Sequence, residues 1–598
     1  MMSLEDKEKK VVIIGGGPAG LTAAYELSKH NLSPIVLEQY DKVGGLSRTE
    51  NYKGYYFDLG GHRFYTKSQE VNRMWFEILG NDFLPRPRLS RIFYKDKFFF
   101  YPLKALDTLA GLGIWQSILI MLSFIKWQIW PHQREDTFEQ WVTNRFGKRL
   151  FEIFFKTYTE KVWGIPCSEL KAEWAAQRIR DLSFKSALLS MFVKPKKTVK
   201  TLIEEFHYPR LGPGMLWNQV KEEIERRNGV VQLNSAVTRV HLSGDCIDYV
   251  VVSRNGQEEI ISGSEFISSM PISEFVKRID SVPTEVLEAA NKLRYRDFLT
   301  VCLIVDQPDL FMDNWIYIHS PEVKVGRIQN FKNWSAEMVP IPSKTSLGLE
   351  YFCNKGDDLW NTPDVDLIEL GIQELDRIGL VKAGDVEDGC VIRVPQAYPV
   401  YDSEYHDYLQ ILKKYVSGLK NFQTIGRNGL HRYNNQDHSM MTAMLAVRNL
   451  VLGEKNDLWE VNSDMEYLEE VQFDETEQLK IKEIITDSFV HVFPRLDPVA
   501  VGLSAGLTCG LIIFLATLFL VLKGNPVIGS YLQLLNNFFP GYSVNTWGAF
   551  LGFFYLFVTG FIIGSGFAYL RNFMVFLNAR KIHRDVDLLH LRRLLDYI

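Results

Sequence analysis

The sequence predicts an α/β protein in three parts: a discontinuous Rossmann-like parallel-sheet domain, a helical plus β-sheet domain inserted into it, and a C-terminal two-helix transmembrane hairpin. Three observations predict it. The apolar run VVII at 11–14 is followed at once by GGGPAG and then by LTAAYELSKH, a strand–turn–helix unit. Strand-like runs return far downstream, at 229–243 and at FQTIG, so the first domain is interrupted. Beyond Asp497, two long stretches carry no charge. The 598 residues make room for about three units of ~100–200 residues each. With 46% hydrophobic and 23% charged residues, a disordered or low-complexity chain is excluded. The 67 basic and 72 acidic residues leave a net charge of −5, so no nucleic-acid partner is expected.

The first part of the split domain is read as residues 1–95. In its G-x-G-x-x-G turn, Gly15 permits the tight bend, Gly17 lets the backbone approach a pyrophosphate, and Gly20 allows close helix–strand packing, with Ala19 in the same turn. The diphosphate then rests on the helix N-terminus. A second strand, PIVLE, ends in Glu38, eighteen residues after Gly20, where an acid accepts from both ribose hydroxyls and disfavours a 2′-phosphate. Next comes a second glycine pair, Gly44-Gly45, with Leu46 and then Arg48 beside the path of a longer diphosphate and ribityl chain. That addition points to FAD rather than NAD.

These motifs resemble the superfamily of flavin amine oxidases, phytoene desaturases and protoporphyrinogen oxidases. The segment Asp58-Leu59-Gly60-Gly61-His62-Arg63-Phe64 is similar to one that, in UDP-galactopyranose mutase, passes beside the flavin ring. The resemblance places Gly61 and His62 at the isoalloxazine, with His62 either tuning the ring or bracing its loop. It implies two further flavin segments. One is 206–290, where Val237 meets adenine through its backbone and Gly212-Pro213-Gly214-Met215 starts a helix. The other is 412–455, where Gly426 and Arg427 follow the last strand and Asp437 caps a helix whose first turn, through Met440, faces the flavin pyrimidine.

Between these segments lie a helical substrate domain at 96–205 and a strand-rich one at 291–411. The run Phe155-Lys156-Thr157-Tyr158-Thr159-Glu160-Lys161-Val162-Trp163-Gly164 also resembles the mutases. By that resemblance Trp163 stacks in the sugar-nucleotide cleft and Arg178 contacts the diphosphate side. From the residues alone, Trp163 is a core aromatic or a sugar face, and Arg178 with Arg180 forms a phosphate fork. The catalytic candidates are therefore His62, Trp163 and Arg178. The segment from Tyr433 through Asn434, Asn435 and Gln436 departs from the mutase pattern, so the mutase substrate does not transfer with the fold. The apolar stretch 108–125 reads as a helix either buried in the substrate domain, which is favoured, or lying in a membrane interface.

After a linker at 456–497, the transmembrane hairpin occupies 498–570, and a basic tail follows at 571–598. Pro498–Leu522 and Trp547–Leu570 are long enough to cross ~30 Å of hydrocarbon. Gly502, Gly506 and Gly510 on the first, with Gly560 and Gly564 on the second, permit close backbone approach. The six Lys and Arg of the tail, against Lys523 alone between the spans, put both ends and the catalytic domain on the cytoplasmic side. No secretory signal precedes the first strand. The six cysteines read as reduced thiols, and no metal ligand set is visible. The expected protein is a membrane-anchored FAD enzyme acting on a sugar phosphate, nucleotide- or lipid-linked, with membrane lipid around it and a reductant such as NAD(P)H. By resemblance its chemistry uses reduced flavin N5 at the anomeric carbon. The alternative is an amine-oxidase-type oxidoreductase taking hydride from an amine, porphyrinogen or polyprenoid.

Overall fold

A computed structural model describes residues 10–172, 205–462 and 496–572, apart from 102, 104–107, 109–110 and 525–529, and gives the backbone alone at 201–202, 470–471, 530 and 573–597. Arg178 and Arg180 lie outside the described residues. The chain forms two compact units, 1–471 and 472–598.

The first unit is built on a five-stranded parallel sheet assembled from three distant stretches. Its strands are β1 (Val11–Ile14), β2 (Ile35–Leu37), β3 (Val230–Gln232), β4 (Glu265–Ser268) and β5 (Phe422–Thr424), in the order β3-β2-β1-β4-β5. Because successive residues of a strand face opposite sides, VVII feeds two cores. Val11 and Ile13 pack under helices α1 (Pro18–Lys29), α3 (Gly214–Arg226) and α4 (Gln436–Leu452), with Leu21, Trp217 and Val447. Val12 and Ile14 pack on the other face with Val240 and Val250 of an antiparallel three-stranded sheet and with Leu412.

A second, seven-stranded sheet forms the substrate half, in the order Val386–Pro399, Tyr295–Val305, Thr345–Cys353, Arg327–Asn330, Trp315–Ile318, Ser90–Tyr94, Lys97–Phe100. The hairpin at 90–100 joins it because Ser90–Phe93 pairs in parallel with Trp315–Ile318. The expected boundary at 95/96 therefore cuts a hairpin. That pairing links residues more than two hundred positions apart, so no local signal carries it. One face of this sheet is covered by the helix Asp364–Arg377. The other face meets the helices between 138 and 163, where Lys161 Nζ donates to the carbonyls of Ser320 at 2.8 Å and Val325 at 3.1 Å and ties the helical insertion to the sheet. Helix α2 (Ile114–Ile129) rests on these helices through Ile120 and Phe124 but leaves most of its apolar side chains exposed. The favoured expectation of a buried helix is thereby corrected: only one of its faces finds a partner among the described residues.

The second unit contains α5 (Pro498–Lys523) and α6 (Thr546–Tyr597), both apolar over a bilayer length, α6 as far as Asn572. Their glycine stripes face each other. A Cβ on Gly506 would lie 2.6 Å from the Phe557 carbonyl oxygen, and one on Gly564 2.8 Å from the Ala505 Cβ. Asp497 caps α5 through its carboxylate, and the Thr517 and Tyr542 hydroxyls bond at 2.7 Å. Large apolar side chains such as Leu515, Phe519, Phe554 and Phe567 point outwards, as lipid-facing residues do.

Candidate active site

The cavity begins where β1 turns into α1. Gly15 has φ +103°, and a Cβ on Gly20 would sit 1.9 Å from the Gly15 carbonyl oxygen, so the turn closes only without side chains there. The second glycine turn docks on the first: Gly44 N–H donates to the Gly16 carbonyl at 2.8 Å, and a Cβ on Gly45 would come 3.1 Å from the Gly17 Cα. Glu38 follows β2, is 5% exposed, and accepts from Gly16 N–H at 2.6 Å and Tyr40 N–H at 3.0 Å. Burial raises its pKa against the pull of those donors and of the Arg48 guanidinium. Arg48 is itself held by Glu50 at 2.7 Å and the Gly45 carbonyl at 3.2 Å.

From this cradle a single cavity of about 400 Å³ continues into the substrate half. Gly15, Gly17, Ala19, Glu38, Gly45, Leu46, Arg48 and Val237 line it, as do Gly61, His62, Gly426 and Arg427. Gly426, at φ +81°, sits where a Cβ would meet the Ala19 Cβ at 2.9 Å, so the end of β5 packs directly on α1. His62 Nε2 lies 3.0 Å from the Leu59 carbonyl, which assigns the ring proton to Nε2. Loss of solvent lowers its pKa to about 4, so the imidazole is neutral near pH 7.

Part of the cavity wall is aromatic and cationic. Tyr398 and Tyr433 stack with centroids 5.7 Å apart, and the Arg427 guanidinium lies 4.9 Å from the first ring centroid and 4.0 Å from the second. Burial pushes the Tyr398 hydroxyl up to about 12. Arg427 donates to the Asn434 carbonyl at 3.1 Å, while its buried Nε has no hydrogen-bond partner among the described residues. Arg327 is paired with Glu350 at 2.9 Å on the neighbouring strand, and Gln329 Nε2 donates to the same carboxylate at 2.8 Å.

Several sequence expectations change here. Trp163 is 2% exposed and lies one layer behind the cavity wall, with its ring centroid 6.3 Å from that of Tyr398 and 6.4 Å from that of Tyr433. It therefore supports the aromatic wall instead of facing the cleft. The helix start is capped not by Asp437 but at Asn435, whose N–H donates to His438 Nδ1 at 3.3 Å. Asp437 and Ser439 line the cavity, while Met440 is fully buried and accepts from Trp75 Nε1 at 3.2 Å. Val237 lines the cavity, and its carbonyl accepts from Arg278 Nε at 2.8 Å. Gly44 contributes through its hydrogen bond to Gly16. Sequence reasoning missed Arg327, Gln329, Glu350 and Tyr398. A signal existed: Arg327 and Gln329 are polar at i and i+2 in a strand otherwise buried, and so face the same side.

A glycine cradle, a buried ribose-length acid and a second cradle opening on an inserted substrate half define a flavin-binding enzyme of the two-domain kind. The profile of the flavin containing amine oxidoreductases matches residues 18–428, and the chain belongs to that family and is FAD-dependent. The fold is similar to that of reduced UDP-galactopyranose mutase, with TM-score 0.67 and 21% identity over 76% of this chain and 98% of that one. It is also similar to a protoporphyrinogen oxidase from Exiguobacterium sp., with TM-score 0.57 and 16% identity over 75% of this chain and 100% of that one. Among curated proteins, the 15-cis-phytoene desaturase of an Oncidium hybrid cultivar is 22% identical over 396 residues, 62% of this chain and 65% of that protein. A protein from the nifH2 3′ region of Methanothermococcus thermolithotrophicus is 51% identical over 53 residues, 9% of this chain and 51% of that protein. The chain thus spans between half and two thirds of these two relatives.

Proposed function

We propose that this flavoenzyme acts on a phosphorylated sugar, nucleotide- or lipid-linked, at a reduced flavin, and that α5 and α6 anchor it in a membrane with both ends cytoplasmic. One observation supports the substrate class: a guanidinium laid over two stacked tyrosines in the cavity wall, with a buried Nε that has no hydrogen-bond partner among the described residues. Stacked rings suit a sugar or base face, and an uncompensated arginine suits phosphate oxygens. The same charge disfavours a protonated amine. Arg327 adds little net charge because Glu350 matches it.

Bound FAD supplies an isoalloxazine that is a nucleophile at N5 when reduced and a hydride acceptor when oxidised. In this reading Glu38 holds the ribose hydroxyls, and the turns at Gly15–Gly20 and Gly44–Gly45, with Arg48, hold the diphosphate. The Val237 backbone meets adenine, and the first turn of α4, through Asp437 and Ser439, faces the ring. Neutral His62 keeps its proton on Nε2 and offers Nδ1 as an acceptor beside Gly61. Arg427 orients the phosphate, and Arg178 assists it by resemblance. Trp163 holds Tyr398 and Tyr433 in place. A reductant such as NAD(P)H primes the cofactor.

The test is anaerobic turnover of dithionite-reduced, full-length enzyme with a nucleotide-linked and a lipid-linked hexose, followed by NMR of the sugar ring. Conversion without an electron acceptor is expected, and Arg427→Met should raise KM about tenfold or more with flavin retained. Product that forms only with stoichiometric consumption of oxygen or another acceptor would instead establish the oxidoreductase reading favoured by the family's name.

A further inference from the structure

We propose that α2 is a second membrane contact, a helix that lies on an anionic bilayer surface and seats the catalytic unit there. At sixteen residues it is about 24 Å long, too short to cross ~30 Å of hydrocarbon. Yet Trp115, Ile118, Leu122, Ile125, Ile129 and Trp130 are all exposed, Trp115 by 80% and Trp130 by 68%. The first five recur at spacings of three and four, which places them along one side of the helix, and Trp130 follows at its C-cap. The opposite side is committed: Ile120 and Phe124 are buried in the core of the helical insertion.

The chemistry of the stripe selects lipid as the occupant. Its aliphatic middle is bracketed by tryptophans, the arrangement of a helix lying at the headgroup level. Between Leu84 and Arg134 the sequence has two Asp and eight Lys or Arg, of which Arg91 is already paired with Asp313. Three of these cations flank the stripe: Lys126 lies 5.9 Å from the Trp127 ring centroid, Arg134 is exposed just beyond the helix, and exposed Lys97 donates to the Gly111 carbonyl at 2.8 Å just before it. No acid occurs between Asp107 and Glu135. A protein partner would leave those cations without a stated counter-charge, whereas anionic headgroups supply one along the whole helix. The packing side of α2 belongs to the cluster that holds Tyr101, and Tyr101 lines the cavity, so docking brings the substrate chamber close to the lipid.

The experiment uses full-length holoenzyme in vesicles of phosphatidylcholine and phosphatidylglycerol doped with a diazirine-bearing phospholipid, irradiated and mapped by peptide mass spectrometry. Lipid adducts are expected on 114–130 as well as on the two hairpin helices, which serve as an internal control. The pair Ile118→Glu and Leu122→Glu should remove the first set and leave both the second and the flavin absorbance unchanged. In vesicles of phosphatidylcholine alone, adducts on 114–130 should fall about threefold or more; an unchanged yield overturns the anionic preference. Adducts confined to the hairpin overturn the proposal, and so do cross-links joining 114–130 of two copies in place of lipid adducts. Neither readout depends on turnover, so this proposal and the sugar-phosphate reading fail separately.

Discussion

Glu38 shows how one side chain ties cofactor binding to pH. Both of its oxygens accept backbone N–H groups, from Gly16 and Tyr40, and burial still holds its pKa above the ordinary carboxylate value. Ribose hydroxyls donating to it favour the charged form, so binding lowers this pKa. In the proposed reading the group therefore binds cofactor best when ionised. Affinity should rise with pH through the raised pKa of the free protein and weaken as pH falls through the lower pKa of the complex. Flavin release, followed by fluorescence over a pH series, should show this slope; Glu38→Gln should flatten it, and Glu38→Arg should leave a folded but largely colourless protein. A slope that survives Glu38→Gln would assign the titration to another group.

At the level of elements, the strands at 327–330 and 345–353 are joined across the cavity floor by Arg327 and Glu350, the latter with no exposed surface. Removing one member leaves a buried charge alone. Arg327→Met should destabilise the protein by about 3–5 kcal/mol, and adding Glu350→Met should recover most of that, as read by chemical denaturation of the holoenzyme. Equal losses in the single and double variants would mean that the pair is solvated. This floor was hardly legible beforehand. The glycine turns could be read because five or six consecutive positions fix their geometry, and Glu38 because one helix and one strand set its distance from them. Arg327, Glu350 and Tyr398 meet only through the register of strands far apart in sequence. Trp163 was placed in the cleft because its local motif resembles one that is; Tyr398 and Tyr433, more than two hundred residues on, cover it.

For the whole molecule, the cavity residues all belong to the unit 1–471 and the two long apolar helices to the unit 472–598. Deleting 498–598 should leave flavin bound. If α2 docks on lipid, the shortened protein should still sediment with anionic vesicles at low ionic strength and be released as salt screens its lysines and arginines. Release at every salt concentration would mean that the hairpin alone holds the enzyme at the membrane.

The parallel sheet also sets an order of events during synthesis. Its last strand, β5, closes the edge beside β4, and Gly426 then packs on Ala19 from the opposite end of the catalytic unit. No nascent chain shorter than this has a complete sheet, yet every strand of it has been translated before the first residue of α5. The ribosome therefore delivers every strand of this sheet before it delivers the two long apolar helices.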